Sequence, residues 1–135
     1  MSTIFTKIIR GDIPSYKVAE DEAHFAFLDI NPIAEGHTLV VPKKEVDYFF
    51  DLSEPRIHNL MSFSRQIAKA IDKSLNPLRT GVIIQGLEVP HAHVHLVPLY
   101  SHSQTMALGH NVKVSEDRMQ ELAEIISGEL DGSEE

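Results

Sequence analysis

Apolar residues along this chain recur with two different periods, and the switches between them mark out its elements. Ile4, Phe5, Ile8 and Ile9 share one face of a helix, so residues 4–10 read as a helix of about two turns, broken at Gly11. Tyr16 to Glu20 reads as a short strand, and Phe25 to Ile30 as a second, stopped by Asn31-Pro32. After a turn at Glu35-Gly36, Thr38-Leu39-Val40-Val41 is rich in β-branched residues and ends at Pro42, the pattern of a third strand. Ser53-Glu54-Pro55 is a helix-opening signal: a hydroxyl cap, an acid in the first turn, and a proline where its missing N–H costs little. Behind it Ile57, Leu60, Met61, Ile67, Ala68, Ile71 and Leu75 recur three and four apart, which predicts an amphipathic helix closed by Asn76-Pro77. Gly81 to Gln85 and His91 to Leu99 read as a fourth and a fifth strand. Ser101 to Val114 is polar. Ser115 caps a last helix with Met119, Leu122, Ala123, Ile125 and Ile126 on its apolar face.

Strands fall in groups rather than alternating with helices. That order predicts an α+β fold, a five-stranded antiparallel sheet with helices packed on it. A chain of 135 residues fits one domain. We expect it to span residues 1–127, with 128–135 a frayed acidic tail.

Composition narrows the chemistry. The chain has no cysteine, which excludes a disulfide framework, a thiol nucleophile and a thiolate zinc site. Its apolar runs are too short for a membrane-spanning helix, and Met1 to Lys7 lacks a secretory pattern, so the expected compartment is the cytosol. The net charge is −8, but from Glu116 to the end eight acids stand against one base. The body is therefore almost neutral and offers no broad basic face, so duplex nucleic acid is not an expected partner.

One segment is chemically conspicuous. In Pro90-His91-Ala92-His93-Val94-His95-Leu96-Val97-Pro98, histidine takes every second position and small or aliphatic residues take the others. Side chains of a strand alternate between faces, so three imidazoles would line one side while Ala92, Val94 and Leu96 enter the core. A merely His-rich solvated strand would not alternate so strictly. Neighbouring histidines could share a metal ion, but the outer two would lie about 13 Å apart at ~3.3 Å per residue, and further ligands would be needed. Nucleophilic catalysis fits better. Neutral imidazole, with an ordinary pKa of ~6.5, attacks phosphorus without further activation, and His93 is flanked on its own face by His91 and His95.

His91-Ala92-His93-Val94-His95-Leu96-Val97 resembles the signature of the histidine triad (HIT) family, three histidines each followed by an apolar residue. Residues 4–14, 25–32 and 36–43 resemble that family's preceding blocks, in the expected order. The resemblance is nearest to its small nucleoside phosphoramidase branch. It implies a hydrolase or nucleotidyl transferase acting on the α-phosphate of a purine nucleotide conjugate, with no cofactor and no metal, and a two-fold homodimer. It implies that His93 attacks phosphorus and forms a nucleotidyl-histidine, and that His95 contacts the phosphate. It further implies that the His91 carbonyl orients the His93 ring and that His37 lies near the triad. Asp29 is expected on the ribose hydroxyls, and Phe5, Ile8, Phe27 and Ile30 around the base. The alternative is a nucleotide-binding or scaffold protein with weak catalysis.

The chain departs from the family pattern just ahead of the triad. In Ile84-Gln85-Gly86-Leu87-Glu88-Val89-Pro90, Leu87 stands where a phosphate-binding Gln is usual and Glu88 where a Ser or Thr is common. Gln85 is the candidate substitute. No Lys or Arg occurs between Thr80 and Val112, so a bound phosphate must be held by imidazoles and backbone N–H groups. His24, His58, His102 and His110 have no such context and read as surface residues.

Overall fold

The computed structural model of the chain describes residues 2–132. Five strands form one antiparallel sheet: β1 (Lys17–Glu20), β2 (His24–Leu28), β3 (Thr38–Pro42), β4 (Arg79–Ile83) and β5 (Val94–Leu99). Their spatial order is β1-β2-β3-β5-β4. Three helices accompany it, α1 (Ile4–Arg10), α2 (Glu54–Leu75) and α3 (Glu116–Gly132).

Both faces of the sheet are covered, and the alternation of side chains decides what each face becomes. Val18, Ala26, Leu28, Val40, Val94 and Leu96 point to one side, where they pack on Leu60, Ile67 and Ile71 of α2 and Leu122 and Ile126 of α3. Phe25, Phe27, Leu39 and Val41 point to the other side, where Phe5 and Ile8 of α1 cover them. In β5 and the residues leading to it, Ala92, Val94 and Leu96 take the first side, so His93 and His95 emerge on the second, beneath α1.

The helices begin where local chemistry predicts. Thr3 caps α1 by accepting from the Thr6 N–H, and Ser53 caps α2 by accepting from the Arg56 N–H. Asn76 closes α2 in the left-handed conformation. The last helix runs through Gly128 to Gly132, beyond its expected end, and 133–135 lie outside the described residues.

Three strand assignments shift, and the first is β2, which runs His24–Leu28 rather than 25–30. β4 is Arg79–Ile83 rather than 81–85, and β5 begins at Val94 rather than His91. The reason lies in the partners. β3 pairs with β5 only as far as Val40 opposite Val94. Upstream, the His91 N–H turns to the Val89 carbonyl and the Ala92 N–H to the Val46 carbonyl, so His91 to His93 run as a bend. His24 is also not a surface residue. It is buried, stacked on Phe63 at 5.0 Å between ring centres, and held by Asp21 at 3.0 Å.

Gly36 sits in the turn between β2 and β3 with φ +93°, and a side chain there would strike Leu75. It delivers His37 to the sheet. Gly36→Ala is expected to lower stability by about 1–3 kcal/mol, read from urea unfolding. A change under about 0.5 kcal/mol, the scale of an ordinary surface substitution, would mean that the turn accommodates the methyl freely.

Candidate active site

A cavity of about 330 Å³ opens between α1, the end of β2, the 85–89 loop and the start of β5. Phe5, Ile8, Ile13, Phe27 and Leu39 form an apolar wall, His93 and His95 line the polar end, and Asp29 stands beside them. Ile30, Gln85, Leu87 and Glu88 reach the opening. Of the four histidines picked out by sequence, His93 and His95 line the cavity, whereas His91 and His37 are buried behind it.

The hydrogen-bond partners of these rings dictate where each proton sits. His93 Nδ1 lies 2.7 Å from the carbonyl oxygen of His91. A carbonyl can only accept, so His93 carries its hydrogen on Nδ1 and keeps a free lone pair on Nε2. His91 Nε2 donates to the Pro42 carbonyl at 2.8 Å, so its Nδ1 accepts from the Thr3 hydroxyl at 2.8 Å. On the far side, the Ile33 N–H donates to His37 Nδ1 at 3.0 Å. His37 must therefore bear hydrogen on Nε2, which it donates to His95 Nδ1 at 3.0 Å. His95 is left with an Nε2–H. Two adjacent rings, 5.0 Å apart between centres, thus carry opposite functions: a lone pair on His93 and a donor on His95.

Burial keeps His37, His93 and His95 neutral. Desolvation pushes His37 down to about 4 and His95 to about 3, the latter helped by its neighbours His93 and His37. His93 is also lowered from the usual imidazole range by burial, though the His91 carbonyl and the charge of Glu88 oppose the shift. His37 Nε2 lies 3.5 Å from Asp29 Oδ2, but with His37 neutral this is a polar contact rather than an ion pair. Asp29 itself is raised by burial, and Glu88 adds to the rise. Its Oδ1 accepts the Asn31 N–H at 2.8 Å, an Asx turn that fixes the carboxyl at the cavity edge.

The same proton pattern bears on metal binding. Asp29, His37 and His95 place three potential ligand atoms within 4.8 Å of one another. A metal there would need the Nε2 lone pair of His37. The Ile33 N–H already requires hydrogen on that nitrogen, so the cluster fits a hydrogen-bond chain and not an ion.

Sequence patterns did not reveal the support beneath His91. Thr3, besides capping α1, donates to His91, and Glu45 accepts from both the Thr3 N–H at 3.1 Å and the Thr6 hydroxyl at 2.6 Å. This knot ties α1, with its Phe5 and Ile8, to the triad. No local pattern announced it, because Glu45 and His91 are distant from Thr3 and Thr6 in the chain.

The HIT domain family matches residues 10–102, which hold every strand and the cavity's histidines. The chain belongs to the HIT family. It is 33% identical over 133 residues to adenosine 5'-monophosphoramidase HNT1 of Saccharomyces cerevisiae, a match covering 97% of this chain and 84% of that protein. With adenosine 5'-monophosphoramidase hnt1 of Schizosaccharomyces pombe it shares 33% identity over 132 residues, covering 96% and 99% of the two chains. A Hit-like protein from Bartonella henselae superposes with a TM-score of 0.83 at 31% identity, over 95% of this chain and 96% of that one. This HIT fold therefore carries two of its signature histidines facing the cavity and a third, His91, that holds His93 from behind, while His37 holds His95.

The depressed histidines have a consequence for stability. Their folded values lie below that of the free imidazole, so in acid the unfolded chain takes up protons first. Stability should be full above about pH 6.5 and should fall towards pH 4, by up to ~1.4 kcal/mol per pH unit for each buried ring. In urea unfolding at pH 7, 5.5 and 4.5, His37→Asn should lose less on acidification than the parent. Equal losses would remove His37 from that balance.

Proposed function

We propose that this HIT protein cleaves the bond between the α-phosphorus of a purine nucleoside monophosphate and its substituent, with phosphoramidates as the leading substrates and related dinucleoside polyphosphates as further ones. The observation that carries this reading is the free Nε2 lone pair of a neutral His93 beside the Nε2–H of His95, in a cavity with an apolar wall. The relatives named as adenosine 5'-monophosphoramidases support it.

In the first step His93 Nε2 forms a bond to phosphorus and the phosphorus–nitrogen bond breaks. The His95 Nε2–H donates a hydrogen bond to a phosphoryl oxygen, and the amine leaves with a proton taken from water at the cavity opening. In the second step water attacks phosphorus, the bond to His93 breaks, and the proton released by the attacking water returns to solvent. The cycle is then balanced in protons. The His91 carbonyl holds the His93 ring in the attacking tautomer throughout and accommodates the positive charge that develops on it. Asp29 is assigned to the ribose hydroxyls, for which a carboxylate is a two-point acceptor. The wall of Phe5, Ile8 and Phe27 is assigned to the base, with Ile30 at its rim and Gln85 as a neutral donor towards the phosphate.

We assign the protein to the cytosol and to a homodimer. β4 ends the sheet, so one of its edges is unpaired, and Leu78, Val82 and Ile84 are exposed on or beside it. The second reading, a nucleotide-binding protein with weak catalysis, is favoured by Leu87 and Glu88 at the position of the usual phosphate donors.

Incubation with an adenosine phosphoramidate and rapid acid quench should show one nucleotidyl group added to the protein by mass. His93→Ala should lose the adduct and at least about 10³-fold of turnover while still binding the nucleotide. Binding without adduct or turnover in the parent would establish the second reading.

Asp29→Asn should weaken a ribonucleotide about tenfold more than its 2'-deoxy counterpart, as expected for a lost charge-assisted hydrogen bond. Equal losses would leave Asp29 only its turn.

A further inference from the structure

The proposed reaction fixes what happens at phosphorus but not what leaves. The 85–89 loop bears on that question, because its side chains stand at the cavity opening while Phe5, Ile8 and Phe27 hold the inner wall. The loop bends through Gly86 with φ +70° and presents Leu87 and Glu88 outward. Leu87 is 83% exposed, and Ile30 and Ile4 across the opening are 73% and 49% exposed. Among the described residues that line the cavity there is no Lys or Arg, and the carboxyls are Asp29 and Glu88. Asp29 is engaged by the Asn31 N–H and lies beside His37. Glu88 has neither a hydrogen bond nor an ion pair among the described residues, yet its charge is felt at both Asp29 and His93.

An unpaired carboxylate among apolar lips repels an anionic leaving group and attracts a cationic one. A pyrophosphate or nucleotide leaving group would bring its negative charge to this opening with no cation to meet it. An alkylamine that carries a second, protonated nitrogen would lay its methylenes on Leu87 and Ile30 and set its ammonium against Glu88.

We propose that Glu88 is a specificity-determining residue that selects nucleoside phosphoramidates with a cationic, aliphatic leaving amine, such as a diamine or a lysine-like side chain, over those with an anionic leaving group. The proposal rests on the reaction assigned above. The chemical step is unchanged: phosphorus–nitrogen cleavage, bond formation to His93 Nε2, and departure of the amine with a proton taken from water. Glu88 acts on the distal charge alone.

The test uses the full-length protein and three amidates of adenosine monophosphate with side arms of equal length, made from 1,5-diaminopentane, hexylamine and 6-aminohexanoate. Values of kcat/KM are measured for the parent, Glu88→Gln and Glu88→Lys. Dividing each variant's value by the parent's on the same substrate cancels the intrinsic reactivity of the bond. Relative to the hexylamine amidate, Glu88→Lys should lower the ratio for the diamine substrate about tenfold and raise it for the carboxylate substrate about tenfold. Glu88→Gln should fall between, and the spread should shrink in 0.5 M salt, because screening weakens an exposed charge. Ratios that move together on all three substrates, or that ignore salt, would overturn the assignment of Glu88 while leaving the His93 reaction standing. No turnover and no nucleotidyl adduct with any of the three would remove the reaction itself, and this proposal with it.

Discussion

The site depends on a single backbone donor, the N–H of Ile33. That group cannot change its polarity, so the ring nitrogen it meets must accept. His37 is thereby locked with hydrogen on its other nitrogen, and that hydrogen passes the constraint to His95. The carbonyl of His91 performs the converse task for His93, accepting where Ile33 donates. Two fixed main-chain groups of opposite sense thus leave neighbouring imidazoles in opposite tautomers. No charged residue is needed to make one ring a lone-pair bearer and the other a donor. Burial reinforces the arrangement, because it raises the cost of any proton that would convert either ring to a cation.

Such a lock requires rigid mounts, and the sheet provides them by being buried on both faces. An imidazole placed on a solvated face would find water and choose its tautomer freely. Here α1 closes that face, and Phe5 meets His91 and His93 edge-on at 5.7 and 5.0 Å between ring centres. α1 is only seven residues long and could not hold its place by its own helical stability. It is fastened instead by its apolar contacts with Phe25 and Phe27 and by the Thr3–His91 and Glu45–Thr6 bonds. The residues that shape the cavity wall are therefore fastened to the same histidine whose carbonyl orients the His93 ring.

This explains which features were legible in the sequence. The alternation of His91, His93 and His95 with Ala92, Val94 and Leu96 is a local pattern, and it predicted correctly which side chains enter the core. The helix start at Ser53 was equally local. The start of β5 was not, because it depends on where β3 stops offering partners. His24 was misread because its partners, Phe63 and the Asp21 carboxylate, are supplied by the fold and not by its flanking residues. The proton chain lay furthest from view. Ile33 to His37 spans four residues, but His37 to His95 spans fifty-eight. No periodicity reports a contact of that kind.

A cavity built this way handles charge differently from one lined by lysines or arginines. Neutral donors stabilise a phosphoryl group through dipoles fixed in place, so little reorganisation is needed as charge shifts during transfer. They do not bind anions strongly in the ground state, which leaves the long-range selection of substrates to whatever net charge surrounds the opening. In this chain that charge is negative, from Asp29 at the edge and Glu88 on the loop. In the proposed reaction the deep part of the site would meet a phosphorus centre by geometry, and the shallow part would discriminate among its substituents by sign. Because Glu88 lies on an exposed loop outside the packed sheet, selectivity can change there without disturbing the tautomers on which the chemistry depends.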